Sequence, residues 1–316
     1  MAALGMCQEE HLERLLRVAT CLAMCGYGTQ VGQLAGTARA FYSDAQVWGA
    51  QVHNKGRRGR THLMHASKMG SAARVQYLLD RGAAVDADAE GGWTALMWAS
   101  SLGHLEAVRC LVERGAANVN ATTTVGVSAV LFASHNGHLG TARFLVERGG
   151  ADVNAARTKD GMTALMWATE HGHLEMVRCL VERGGANVNA ARTTDGMTAL
   201  MWASEMGHLE IARILVERGG ANVNAMQTDD GMTSLMWASL RGHMDIVRLL
   251  VERGGTNVNA ARTTDGLTAL MWACQEGELE VVRYLLEHGA DEEATAADGE
   301  TARDFAHAFI NEMFDN

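Results

Sequence analysis

DGMTALMWASEMGHLEIARILVERGGANVNA, Asp195 to Ala225, decides the fold. Thr198 is placed to cap a helix, its hydroxyl accepting a backbone N–H of the first turn. Ala199 to Met206 then reads as a short helix with Leu200 and Ala203 on one face. Gly207 ends it, because glycine enters the left-handed region without a Cβ penalty. His208 opens a second helix, in which Leu209, Ala212, Leu215 and Val216 form one apolar stripe. Gly219 and Gly220 stop that helix. The polar run from Asn222 to Gly231 is a turn or hairpin that returns the chain to Thr233. Helices shorter than about 12–15 residues are marginal in water, so such a unit needs neighbours.

Thr61, Thr94, Ser128, Thr163, Thr198, Thr233, Thr268 and Thr301 recur at intervals of 33 to 35 residues. Regular self-similarity at this period means stacked units, each burying its apolar stripe on the next. TALMWASEMGHLEIARILVERGGANVNA resembles an ankyrin repeat, whose family pattern begins Thr-Pro-Leu-His, passes through Gly-His and Leu-Leu, and ends in Gly-Ala-Asp-Val-Asn. The resemblance covers residues 57–311. It implies an all-α solenoid of stacked helix pairs with projecting hairpin tips. The chain divides into an N-terminal helical segment (1–52), the array (53–311) and a short tail (312–316).

The departures from the pattern carry information. The family proline is alanine at Ala95, Ala164, Ala199 and Ala269 and serine at Ser234; the whole chain has no proline, where average usage of about 5% would give about 16. The family histidine is Met97, Met166, Met201, Met236 and Met271, which leaves that histidine's hydrogen bonds to neighbouring turns without a donor. Two extra residues lengthen the turn, as in Gly219-Gly220 and Ala225-Met226-Gln227-Thr228. Doubling a loop costs only about 0.6 kcal/mol, so protruding, mobile tips are expected. The truncated, acidic last unit reads as a polar cap.

The composition, 47% apolar and 20% charged over 316 residues, is that of a soluble globular chain. The net charge of −10 is uneven: residues 276–316 carry 12 Asp/Glu and 2 Arg, whereas residues 1–60 carry 7 Lys/Arg and 4 Asp/Glu. An acidic balance argues against nucleic acid as the partner, since phosphate binding requires a basic face. Val18 to Ala38 is uncharged but rich in Gly, Gln and Thr, so no membrane insertion is expected. The six cysteines form no CxxC pair and read as reduced thiols, which places the protein inside the cell, in cytoplasm or nucleus.

No nucleophile–base pair, phosphate loop or paired carboxylates are evident, so the chain is not read as an enzyme. His104, His138, His173, His208 and His243 recur once per unit. They form a column rather than a converging set of zinc ligands, and no metal or cofactor is expected. Trp98, Trp167, Trp202, Trp237 and Trp272 form a second column, read as packing between units, with an aromatic ligand cage as the rival. Asn120, Asn154, Asn189, Asn224 and Asn259 read as satisfying turn backbone; the resemblance also implies asparagine hydroxylation at this position.

What differs between units points to function. The last turn of each first helix reads Lys68-Met69, Ser101-Leu102, His135-Asn136, Glu170-His171, Glu205-Met206, Leu240-Arg241 and Gln275-Glu276. Trp93, Arg157, Lys159, Arg192, Gln227 and Arg262 map to the hairpin tips. In the resembling family, first helices and tips form the concave partner-binding face. These twenty residues are therefore the candidate surface for one or more protein partners, presented by a monomeric array.

Residues 1–50 do not repeat. VGQLAGTARAFYSDAQVW is similar to the latter half of an F-box, with Leu34, Arg39, Phe41 and Trp48 matching, although the Leu-Pro start is missing. That resemblance implies a substrate adaptor of a cullin-type ubiquitin ligase. The alternative is a helical cap over the exposed end of the first repeat. Asn54 to Arg60, NKGRRGR, reads as a solvated linker rather than a nuclear signal.

Overall fold

The computed structural model describes residues 57–306. Among the described residues there are fifteen α-helices and no strand, only one-residue antiparallel bridges such as Ala191 with Thr198. The helices come in pairs: α1 His62–Lys68 with α2 Ala72–Asp80, α3 Ala95–Ser101 with α4 Leu105–Arg109, and α5 Ala129–His135 with α6 Leu139–Glu147. The array continues with α7 Ala164–Glu170 and α8 Leu174–Glu182, α9 Ala199–Met206 and α10 Leu209–Glu217, then α11 Ser234–Leu240 and α12 Met244–Gly254. It closes with α13 Ala269–Glu276, α14 Leu279–Glu287 and the single turn α15 Ala302–Phe305. First helices stack in one row, second helices in another, and each first helix packs on its own second helix.

Four of the units begin with a reciprocal cap between threonine and methionine; Thr163 and Thr233 only accept, and Ser128 makes no side-chain cap. The Thr198 hydroxyl accepts from the Met201 N–H at 3.4 Å, while the Thr198 N–H donates to the Met201 sulfur at 3.4 Å. The same exchange joins Thr61 with Met64, Thr94 with Met97 and Thr268 with Met271. A capping box ordinarily uses Glu or Gln at this third position. Methionine is a weak acceptor, but Met64, Met97, Met201 and Met271 are at most 1% exposed, a depth where an ionised carboxylate would be costly. The methionine that displaces the family histidine thus serves both core and cap.

The second helices are buried over a wider sector than one stripe. In α10, Ile211, Ala212, Ile214 and Leu215 are buried, whereas Leu209 and Val216 are only half-buried. The reason is that α10 faces three neighbours, α9 and the second helices α8 and α12. Burying one such aliphatic side chain contributes about 1.5–3 kcal/mol, and a unit alone could bury few of them.

Polar contacts repeat from unit to unit. Asn189 Oδ1 accepts the N–H of Asn222 at 2.7 Å, and its Nδ2 donates to the carbonyl of Gly220 at 3.2 Å. Asn120, Asn154, Asn224 and Asn259 do the same in their units. The hairpin tips are not free-standing protrusions. The N–H of Thr193 donates to the carbonyl of Asp160 at 2.8 Å, Thr228 to Asp195 at 2.8 Å and Thr263 to Asp230 at 2.9 Å.

Gly207 closes α9 at φ 75°, and a Cβ there would lie 2.7 Å from the His243 ring of the next unit. One unit departs from the pattern. After α4, Cys110–Arg114 forms a π turn, and Ala116 sits at φ 50°. Gly150, Gly185, Gly220 and Gly255 hold the left-handed position in later units.

Candidate partner-binding face

The first helices present a periodic outer surface. The fourth residue after the N-cap is His65, Trp98, Phe132, Trp167, Trp202, Trp237 or Trp272 in successive units. One helical turn later come the varied pairs, since residues three and four apart share a helix face. Glu205 and Met206 thus lie one turn beyond Trp202, which is itself buried beneath the Arg192 guanidinium. Lys68, Met69, Leu102, Asn136, His171, Met206, Arg241, Gln275 and Glu276 are exposed; Ser101, His135, Glu170, Glu205 and Leu240 are half-buried. Met69, at 61% exposure, and Leu102, at 44%, are apolar side chains with little cover. Glu205 and Arg241 pair across two units at 3.2 Å.

The tip residues are placed differently from expectation. Gln227 is buried: its Oε1 accepts from Trp237 Nε1 at 3.1 Å and its Nε2 donates to the Met197 sulfur at 3.3 Å. Arg157, Arg192 and Arg262 are half-buried and engaged within the chain. Each grips the aspartate three residues on, Nε reaching Asp160 at 2.8 Å, Asp195 at 2.8 Å and Asp265 at 2.9 Å. Each guanidinium also lies over the tryptophan of its own unit, 5.1 Å from Trp167, 5.1 Å from Trp202 and 5.0 Å from Trp272. The arginine hydrogen bond holds the carboxyls of Asp160, Asp195 and Asp265 below the usual range, helped by a backbone N–H two residues on. These aspartates were missed by sequence reading. The signal was the Arg-x-x-Asp that recurs at 157–160, 192–195 and 262–265, with Gln227 in place of arginine in the unit between. Trp93 is not at a tip either. It takes the place before the N-cap that Val127, Met162, Met197, Met232 and Leu267 hold, and it packs between Trp98 and Phe132 with ring centroids 4.4 Å from each. Lys159 alone of the tip set is exposed.

The histidine column ties units together. Nε2 of His104, His138, His173 and His243 lies 3.1, 3.1, 3.3 and 3.2 Å from the carbonyl oxygens of Lys68, Ser101, His135 and Glu205. These carbonyls end the first helices of the preceding units and have no partner inside them. Among the described residues no group of three or more His, Cys, Asp or Glu is arranged to hold a metal ion. His135 lies 4.5 Å from Trp167 and 4.6 Å from His171, and burial lowers its pKa. Trp98, Trp167, Trp202 and Trp272 stack on cations or neighbouring rings and Trp237 bonds Gln227, a packing arrangement rather than an open cage. Cys110, Cys179 and Cys274 form no disulfide, and burial pushes the Cys274 thiol up to about 12. The F-box match at Leu34, Arg39, Phe41 and Trp48 and the uncharged run Val18 to Ala38 lie outside the described residues. Among the described residues no helix is long and apolar enough to cross a membrane.

Comparison with known proteins agrees with this geometry. No curated protein matches the sequence. Among solved structures, the chain is similar to the ankyrin repeat domain of Bcl-3, described as a unique member of the IkappaB protein family. The TM-score is 0.61 at 23% identity, over 82% of this chain and 100% of that one. The family described as Ankyrin repeats (3 copies) matches residues 40–123, 130–227 and 220–296. With most of its length matched and its units capped, paired and stacked as described, the chain belongs to the ankyrin-repeat family.

Proposed function

We propose that the array is a protein-recognition module whose partner lies across the outward stripe of the first helices, from Lys68-Met69 to Gln275-Glu276. One observation carries the reading. The caps, methionines, asparagines and glycines repeat almost unchanged, while the solvent-facing pair of each first helix differs in every unit. Positions without a packing role are the ones that can be addressed to a partner, and an extended, chemically varied surface suits a protein chain. Lys159 and the exposed edges of Arg157, Arg192 and Arg262 frame this surface at the tip side. The role is binding rather than chemistry, exercised by a single chain in a reducing compartment, in keeping with unpaired Cys110, Cys179 and Cys274.

The test replaces Glu205, Met206, Leu240 and Arg241 together by alanine. Proteins retained by the full chain from a cell lysate are then compared with those retained by the variant. Loss of retained proteins with little change in melting temperature supports the face. An unchanged set of partners counts against it.

A further inference from the structure

The first described unit carries basic side chains at three places on this face. Before the N-cap, where other units place Trp93, Val127, Met162, Met197, Met232 or Leu267, it has Arg60. At the aromatic position it has His65, and at the varied position it has Lys68. All three are basic, and two of them, Arg60 and Lys68, converge on one ring. The Arg60 guanidinium lies 5.2 Å and the Lys68 ammonium 4.9 Å from the centroid of Trp98. Together with His62 they line a pocket of 330 Å³ whose floor includes that indole. A second hollow of 390 Å³ shares Arg60 and Trp98 and extends to Trp93, Arg58 and Glu90, whose carboxylate pairs with Arg58 at 3.7 Å. Both cations are exposed, and neither has a carboxylate partner among the described residues. That sets them apart from Arg157, Arg192 and Arg262, which stack on tryptophan in the same way but are each neutralised by an aspartate.

We infer that this pocket receives the carboxylate side chains of an acidic peptide segment, which enters the first-helix face at this end. The inference deepens the recognition role proposed above and rests on it. Two cations held against an indole are an anion site with a defined spacing, because a guanidinium or ammonium stacked on an aromatic face keeps its N–H donors at the rim. Met69 and Leu102, bare beside it, suit apolar residues flanking the acidic ones. Nucleic acid fits poorly. A phosphate backbone needs a continuous basic track, whereas further along this face the same stripe carries Glu170, Glu205 and Glu276. The acidic part of the peptide lies over Trp98.

The experiment pans a random phage-displayed dodecapeptide library on the full chain at low salt. Selected peptides are synthesised with a fluorescein label and titrated by anisotropy. The inference expects enrichment of peptides carrying several Asp or Glu. It expects affinity about tenfold or more weaker for Arg60→Glu/Lys68→Glu, with rescue by Arg60→Lys/Lys68→Arg and loss of binding at high salt. Both variants should keep the melting temperature of the parent, since neither side chain is buried. Selected peptides that are not acidic, or acidic peptides indifferent to the charge reversal, overturn it. So does tighter binding of a labelled single-stranded oligonucleotide. If peptides are lost with the Glu205, Met206, Leu240 and Arg241 alanine variant but not with the charge reversal, the face stands and the acidic pocket falls. If nothing is enriched on the full chain, both fall.

Discussion

Gly207 and Gly220 stand in one unit with nearly the same backbone, φ 75° and 65°, yet alanine at each asks a different question. At Gly220 a Cβ would meet nothing within 4 Å. The cost of Gly220→Ala is therefore backbone strain alone, about 1–2 kcal/mol for a left-handed alanine, less the few tenths to about 1 kcal/mol gained by stiffening the unfolded chain. A net cost of about 1 kcal/mol is expected. At Gly207 the same Cβ would lie 2.7 Å from the His243 ring. Pushing the ring aside adds about 1–3 kcal/mol of overpacking, and it breaks the contact between His243 Nε2 and the Glu205 carbonyl, worth about 1 kcal/mol. Gly207→Ala should then cost about 3–5 kcal/mol. Urea unfolding of the full chain followed by circular dichroism measures both. His243→Ala supplies the control. Combined with Gly207→Ala it should be less damaging than the two single costs added, because the clash is gone; combined with Gly220→Ala it should be additive. Equal costs at the two glycines, or additivity of Gly207 with His243, would refute the interlock of glycine and histidine between units.

Three further outcomes follow from the same contacts. Asn189→Ala leaves the Asn222 N–H and the Gly220 carbonyl to water and should lower stability by about 1–2 kcal/mol, measured as a shift in the urea midpoint. Asp160, Asp195 and Asp265 have folded pKa values depressed by their arginines, so the stability they contribute is present above the unfolded carboxylate range and lost as pH falls through the folded values. Replacing all three by asparagine should lower the melting temperature at neutral pH and flatten its decline at acid pH; parallel curves would count against the clamps. Ala116→Gly relieves the non-glycine residue at φ 50° and should raise stability by about 0.5–1 kcal/mol, read from the same unfolding curves.

The repeating part of the fold was legible because it is local. The boundaries of α9, Ala199 to Met206, follow from Thr198 as cap and Gly207 as stop, and both signals are written within the helix's own neighbourhood. The burial of α10 was less so. Its stripe was drawn for one contact surface, but three helices surround it, and Ile211 and Ile214 are core for that reason. The methionine caps escaped notice because a thioether is rarely counted as an acceptor. The exposure of the first-helix pairs was legible in outline, and that of the tip residues was not. Exposure there was inferred from polarity, and polarity cannot distinguish a solvated arginine from one that spans an aspartate and a tryptophan. Gln227 shows this most plainly: it is the residue that replaces a clamp arginine, and it is buried with its Oε1 accepting from the Trp237 N–H. Arg60, by contrast, could have been found by aligning the units and noticing a charge in an apolar column.

The identical stitching of unit to unit has a consequence for how the molecule can change length. Removing residues 198–232 would bring Thr233 directly after Met197, the same junction that Met232 and Thr233 make now. The asparagine at 189 would find Asn257 where it had Asn222, and His243 would find the carbonyl of Glu170. Each of these bonds has a stand-in. Copy number is therefore nearly neutral to folding, and the reach of the face can grow or shrink by whole periods through recombination between similar coding segments. The same degeneracy invites a newly made chain to dock out of step by one unit. The irregular contacts, Trp93 wedged against Phe132 and Gln227 bonded to the Met197 sulfur, are the marks that tell one step from the next.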